Sequence, residues 1–204
     1  MNNGGWIWLV PVRAHESFIK GLDYPKIAQQ ILESRIPPDF PDAKEFVDVQ
    51  SGVDYVLPDT IECTVLKEEI ERRANDVLGE LYLADIWCGI LEKGQSTPYH
   101  RHSSNAHLYP EEYWSGVIYI DAVGPGCRLC LYADAMNAYN MVTKIEPETG
   151  KIVFFNSFVP HQTERHNEDR PRVCVSFNLY PKNPTTTIYP DMSPWARRKI
   201  EELG

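Results

Sequence analysis

The chain has 204 residues, with 29 acidic against 20 basic side chains and a formal net charge of -9. Hydrophobic residues at 43% and charged residues at 24% are globular proportions, which excludes a disordered chain, and the acid excess argues against a nucleic-acid backbone as main partner, because that binding is driven by clustered Lys and Arg. No apolar run reaches the ~20 residues of a bilayer-crossing helix, and the first residues lack a basic stretch followed by a long apolar one, so the sequence reads as a soluble, unexported, cytoplasmic protein.

In chain order, "WIWLVPVR" (residues 6–13) is rich in strand formers and, given its proline, reads as one strand at a sheet edge. "DYPKIAQQILES" places Pro25 in the first helical turn and Ile27, Ala28, Ile31 and Leu32 at helical spacing, which predicts a short amphipathic helix. The proline-rich "IPPDFPDAKEF" ends it. A second helix is expected over 65–78, with Leu66, Ile70, Ala74, Val77 and Leu78 on one stripe and Glu68, Glu69, Arg72 and Arg73 outside. Both helices read as a buttress for the β-rich remainder of the chain.

From Leu81 the pattern changes to short β-branched and aromatic runs: "YLADIWCGIL", "YWSGVIYIDA", "CRLCLYA", "MVTKIEP", "KIVFFNS" and "RVCVSFNLY". Such regular spacing predicts a β-sandwich or barrel. "SPWARRKIEEL" starts with Ser193 as an N-cap and Pro194 at the first helical position, which predicts a short C-terminal docking helix. A single domain over 1–204 is expected: strand and helices over 1–80, a β core over 81–181, and a tail over 182–204. The five cysteines are odd in number and irregularly spaced, so free thiols are expected, and Cys127 and Cys130 of "CRLC" read as strand residues rather than half of a zinc site.

The stretch "TPYHRHSSNAH" holds His100, His102 and His107, three of the chain's six histidines. In an extended segment His100 and His102 point to one side, because the side-chain period is two. They can chelate a divalent cation if a third ligand arrives; a solvated polar loop is the other reading. "PETGKIVFFNSFVPHQTERH" supplies the candidate, His161, after a turn at Gly150 and a buried strand. In "RVCVSFNLY" Val173, Val175, Phe177 and Leu179 alternate with Arg172, Cys174, Ser176 and Asn178, so one face is apolar and the other polar. That polar face can look to water or into a pocket.

These residues together resemble the iron(II)- and 2-oxoglutarate-dependent oxygenases of the double-stranded β-helix fold, a cupin-like jelly roll, in a branch with H-x-H. The resemblance covers 81–180 and rests on His100 and His102, a strand with a small turn residue in "SGVIYI", His161, and Arg172 about ten residues later. It implies a mainly β jelly roll with N-terminal buttressing helices and a short C-terminal helix. It implies His100 and His161 as iron ligands, with His102 where most members carry Asp or Glu. Arg172 would bind the distal carboxylate of 2-oxoglutarate, a task suited to the planar guanidinium fork. Tyr119, Cys174 and Ser176 would line the cosubstrate pocket, with Cys174 where relatives often have Ser.

Three imidazoles also suit zinc, nickel or copper, and Glu111, Glu112 or Asp121 could instead supply a carboxylate. The implied activity is hydroxylation of a small-molecule or peptide substrate with succinate as coproduct. A cupin-type metalloprotein that does not use 2-oxoglutarate and a non-catalytic jelly-roll binding module are the competing readings. His15, His107 and His166 are expected on the surface, and Trp87, Trp114, Tyr113 and Phe155 in core or wall. "SSNAHLYPEEYW" reads as a substrate lid, and the exposed first strand is compatible with a homodimer.

Overall fold

The computed structural model describes residues 5–9, 12–36, 53–102, 113–133 and 141–182. The C-terminal helix expected from Ser193, residues 103–112 of the proposed lid with His107, and the alternative ligands Glu111 and Glu112 lie outside the described residues. Among the described residues no helix is long and apolar enough to cross a membrane.

Two antiparallel sheets and two helices make up the described structure. Strands β1 (Gly5–Leu9), β2 (Val12–Phe18), β3 (Val53–Tyr55), β4 (Leu81–Leu91), β5 (Trp114–Asp121), β8 (Lys151–Asn156) and β10 (Arg172–Pro181) form the larger sheet, in the order β1-β2-β8-β5-β10-β4-β3. Strands β6 (Leu129–Ala133), β7 (Met141–Ile145) and β9 (His161–Thr163) form the smaller one, in the order β7-β6-β9. Every neighbour pair is antiparallel, as the jelly roll requires. The single strand expected over 6–13 is instead a hairpin, with Leu9 opposite Val12.

Helix α1 (Tyr24–Ser34) is capped by Asp23, whose carboxylate accepts from the Lys26 amide at 3.2 Å, and has Pro25 in its first turn. Helix α2 (Ile61–Leu78) begins a turn earlier than expected, because Thr60 caps it by accepting from the Cys63 amide at 3.3 Å. The early turn escaped the periodicity because its first residue, Ile61, is apolar yet fully outside the buried stripe.

The alternation in β10 decides the architecture. Val173, Val175, Phe177 and Leu179 pack outward against Ile27 and Ile31 of α1 and Leu66, Ile70 and Ala74 of α2, together with Ile118, Ile152 and Phe154. The opposite face of the sheet contributes Val117, Tyr119, Val153, Phe155 and Cys174 to a second cluster, against Leu129, Leu131, Ile145 and Val159 from the smaller sheet and its flanks. Polar residues on β10 therefore face the space between the sheets and not water.

Gly116 is no turn residue, although the sequence pattern suggested one: it sits inside β5, opposite Phe154 and Phe177. A β-carbon there would stand 2.4 Å from the Phe177 ring and 2.6 Å from the Val153 carbonyl oxygen. Gly116→Ala is expected to destabilise the protein by about 1–3 kcal/mol, the usual cost of overpacking. A lowered urea midpoint at constant slope would show this, and pairing the change with Phe177→Leu should recover part of the loss. An unshifted midpoint would contradict the close approach.

Candidate metal centre

After β4 the chain turns through Glu92 and Gln95, the Gln95 amide donating to the Glu92 carbonyl at 3.0 Å, and runs back along the smaller sheet. His100 pairs there with His161: each backbone N–H donates to the other's carbonyl, at 3.0 and 2.9 Å. A hydrogen-bonded antiparallel pair places both side chains on one face, and the two rings are 4.2 Å apart. His102 lies two residues on, so its ring returns to the same side, 5.1 Å from His100 and 4.8 Å from His161. The Phe155 ring backs His161 at 4.6 Å and Trp87 backs His102 at 5.4 Å. One nitrogen from each of the three imidazoles lies within 4.8 Å of the others.

Hydrogen bonds choose which nitrogen that is. His100 Nδ1 lies 2.8 Å from the Pro98 carbonyl, His161 Nδ1 2.9 Å from the Val159 carbonyl, and His102 Nδ1 2.7 Å from Asn178 Oδ1. All three partners are oxygens that accept only, so each Nδ1 carries the proton and each Nε2 a lone pair. His100 Nε2 and His102 Nε2 then face each other at 3.1 Å. Two lone pairs at that separation repel unless a cation sits among them. Burial, with His100 as the second cause, lowers the His102 pKa to about 4, and burial with the neighbouring imidazoles holds His161 well below its usual range. Neutral imidazoles with bare Nε2 atoms, each braced through Nδ1, are a donor set that could hold a metal ion.

Asn178, which anchors His102, belongs to a cross-strand row. It lies opposite Asp85 of β4 on one side and Ser115 of β5 on the other. Its Oδ1 also lies 2.8 Å from Ser115 Oγ, and its Nδ2 donates to Asp85 Oδ2 at 3.4 Å. Sequence reasoning placed Asn178 on the polar face but gave it no task. Parity was legible there; the register of β10 against β4 and β5 was not.

Arg172 opens the same face of β10, with Cys174 and Ser176 between it and Asn178. It is 2% exposed, with Nη1 donating to the Cys127 carbonyl at 3.0 Å and its guanidinium 5.5 Å from the centre of the Tyr119 ring. Among the described residues no carboxylate pairs with it, and its Nε has no hydrogen-bond partner. Tyr119 Oη, 1% exposed as a residue, has none either. Burial pushes the Tyr119 phenol and the Cys174 thiol up, so neither is an anion that could offset the guanidinium. A buried cation with an unmet Nε beside an unmet phenol could hold an anionic ligand. Ser176 faces the same space, between Trp87 and Val117.

Other candidates fall elsewhere. Asp121 ends β5 and forms a bidentate ion pair with Arg170, at 2.8 and 3.3 Å, so it does not join the histidines. His15 and His166, expected on the surface, are both buried, at 6% and 1% exposure. His15 lies in β2 against Phe154, and His166 Nε2 meets the Arg170 carbonyl at 2.8 Å. The polar run around His166 and the place of His15 after the first strand give no sign of either inward direction. Cys127 and Cys130 are buried free thiols, with all other cysteines also free.

Residues 85–178 match the family model described as "Putative 2OG-Fe(II) oxygenase". A comparison with curated proteins gives no match. Among solved structures, a prolyl-4-hydroxylase from Pseudomonas putida is similar with a TM-score of 0.57 and 17% identity, over 83% of this chain and 92% of that one. HygX from Streptomyces hygroscopicus, solved with nickel and 2-oxoglutarate bound, gives 0.58 and 13%, over 82% and 83%. A Trichoplax adhaerens prolyl hydroxylase, in complex with a hypoxia-inducible-factor peptide fragment, gives 0.57 and 16%, over 89% and 85%. At these identities the neighbours speak for the fold, a double-stranded β-helix, and the family match speaks for the segment within it. Over residues 85–178 the β core of this chain is thus similar to the 2OG-Fe(II) oxygenase family.

Proposed function

We propose that the protein is an iron(II)- and 2-oxoglutarate-dependent dioxygenase that hydroxylates a small-molecule or peptide substrate. The observation that carries this reading is Arg172: a buried guanidinium without a carboxylate partner among the described residues, on the same inner face of β10 as the asparagine that braces His102. His100, His102 and His161 would hold the metal through Nε2, which leaves positions open for the keto acid and dioxygen. Arg172 would take the distal carboxylate as a charge-assisted, two-point contact, with Tyr119 Oη as a further donor and Cys174 and Ser176 along the wall. Bound there, the metal with its cosubstrate supplies the oxidising chemistry: one oxygen atom of dioxygen enters succinate as carbon dioxide leaves, and the other enters a substrate C–H bond. Trp87 and Phe155 would wall the reacting centre, where they pack against His102 and His161.

In the test, the purified chain is loaded with iron(II) and given 2-oxoglutarate and dioxygen, and succinate is quantified. Slow, substrate-free succinate formation that chelation stops is the expected result. Failure of 2-oxoglutarate to bind the metal-loaded protein contradicts the reading.

A second reading has one observation in its favour. Among the described residues no Asp or Glu joins the three imidazoles, a ligand set equally suited to zinc, nickel or copper. A cupin-type metalloprotein that ignores 2-oxoglutarate would retain its metal and its activity after Arg172→Ala, whereas the oxygenase would keep the metal and lose succinate formation.

A further inference from the structure

We infer that Asn178 and Asp85 act as a positioning pair that sets the tautomer and aim of His102; the inference rests on the metal-centre reading above. The three histidines are not braced alike. His100 and His161 each reach a backbone carbonyl two residues earlier in the chain, Pro98 and Val159. A backbone carbonyl offers only an acceptor, so those tautomers need no further control. His102 stands where the family pattern carries a carboxylate, and its partner is a side-chain amide. An amide presents either an acceptor or a donor according to how it is turned.

Turned the other way, Asn178 would present its NH2 group to His102 Nδ1. The imidazole proton would then move to Nε2, and the lone pair aimed at the cluster would be lost. Asp85 opposes that orientation. Its Oδ2 lies 3.4 Å from Asn178 Nδ2, and reversal would set the amide oxygen against a carboxylate oxygen. Ser115 accommodates the observed orientation from the other side. Its single hydroxyl proton goes to Asn178 Oδ1, at 2.8 Å, because an amide oxygen only accepts, and Ser157 Oγ at 2.9 Å can donate back to Ser115. Ser115 and Ser157 are fully or almost fully buried, so water does not readily take over their places. The row Asp85, Asn178, Ser115 runs straight across β4, β10 and β5 as direct strand neighbours, which fixes its spacing through the ladder. His102 is further held from below, its backbone N–H donating to the Ser157 carbonyl at 3.1 Å.

The test is a cobalt(II) titration of the metal-free protein against a competing chelator, read beside the nitrogen resonances of the His102 imidazole. Asn178→Ala is expected to weaken cobalt binding by about 10–100-fold, the usual effect of losing the partner of a ligating histidine. Asn178→Asp alone should also weaken it, because two carboxylates then face each other across the strands. The double exchange Asp85→Asn/Asn178→Asp restores a donor opposite an acceptor and should recover most of the loss, with the His102 proton again on Nδ1. A merely structural role would give no such recovery.

Should Asn178→Ala fail to fold, Asp85→Leu decides through the same titration, expected to bind cobalt more weakly and to show both His102 tautomers. Wild-type cobalt affinity in Asn178→Ala or Asp85→Leu, or a double exchange as weak as Asn178→Asp, would overturn the inference. If instead the wild-type chain binds no cobalt, or His161→Ala binds it equally well, the metal centre itself is refuted and the positioning pair falls with it.

Discussion

Replacing His161 with alanine is expected to lower metal affinity by more than about 100-fold and to abolish succinate formation. Loss of a partner that only orients a ligand costs about 10–100-fold, and loss of a ligand costs more. The backbone of the site should survive, since His161 pairs with His100 through main-chain hydrogen bonds that alanine keeps. Some packing against Phe155 is lost, which makes His166→Ala the proper control. His166 is also a buried imidazole, 1% exposed and bound to the Arg170 carbonyl, but it stands outside the cluster. The two variants should resemble each other in stability loss and differ in metal affinity. Equal metal affinity in both, measured by the same chelator competition, would remove His161 from the site.

Arg172→Met should separate binding from stability more sharply. A buried cation without a counter-ion carries a desolvation cost that its bond to the Cys127 carbonyl only partly offsets, and replacing buried ionic groups with apolar side chains of similar volume is often neutral or stabilising by about 1–4 kcal/mol. The metal-free variant is thus expected to melt at or above the wild-type temperature. Its response to 2-oxoglutarate should vanish. A ligand present at 100 times its dissociation constant adds about 2.7 kcal/mol to stability, so the metal-loaded wild type should show a clear rise in melting temperature on adding 2-oxoglutarate and the variant none. Arg172→Lys should fall between them, because an ammonium keeps the charge but not the two-point fork. A strongly destabilised Arg172→Met that still binds 2-oxoglutarate normally would make the arginine a structural residue.

The sequence carried most of this architecture because the elements that build the site have strong local signals. The alternation in β10 separates Val173, Val175, Phe177 and Leu179 from Arg172, Cys174, Ser176 and Asn178, and the structure turns the first set to the helices and the second to the space between the sheets. Helix α1 announces itself through Pro25 and the spacing of Ile27 and Ile31. His100 and His102 share a side by period alone. What was not legible depends on distance in the chain. The pairing of His100 with His161 spans two sheets' worth of sequence, and the neighbours of Asn178 come from the β4 and β5 registers, which no local pattern encodes. His15 and His166 misled for a related reason: neither a place after the first strand nor a polar surrounding sequence says much about a side chain that the tertiary fold turns inward. Gly116 misled because glycine usually marks a turn, whereas here it makes room for the Phe177 ring on the next strand.

The convergence of three Nε2 atoms on one cation, with Arg172 reaching a ligand in the same chamber, is tested most directly by a crystal grown with manganese(II) and 2-oxoglutarate and measured at the manganese absorption edge. One anomalous peak about 2 Å from Nε2 of His100, His102 and His161, with the distal carboxylate of the keto acid on the Arg172 guanidinium, is the expected result. A peak bound through Nδ1 or at some other cluster, or a keto acid lying away from Arg172, would contradict the account.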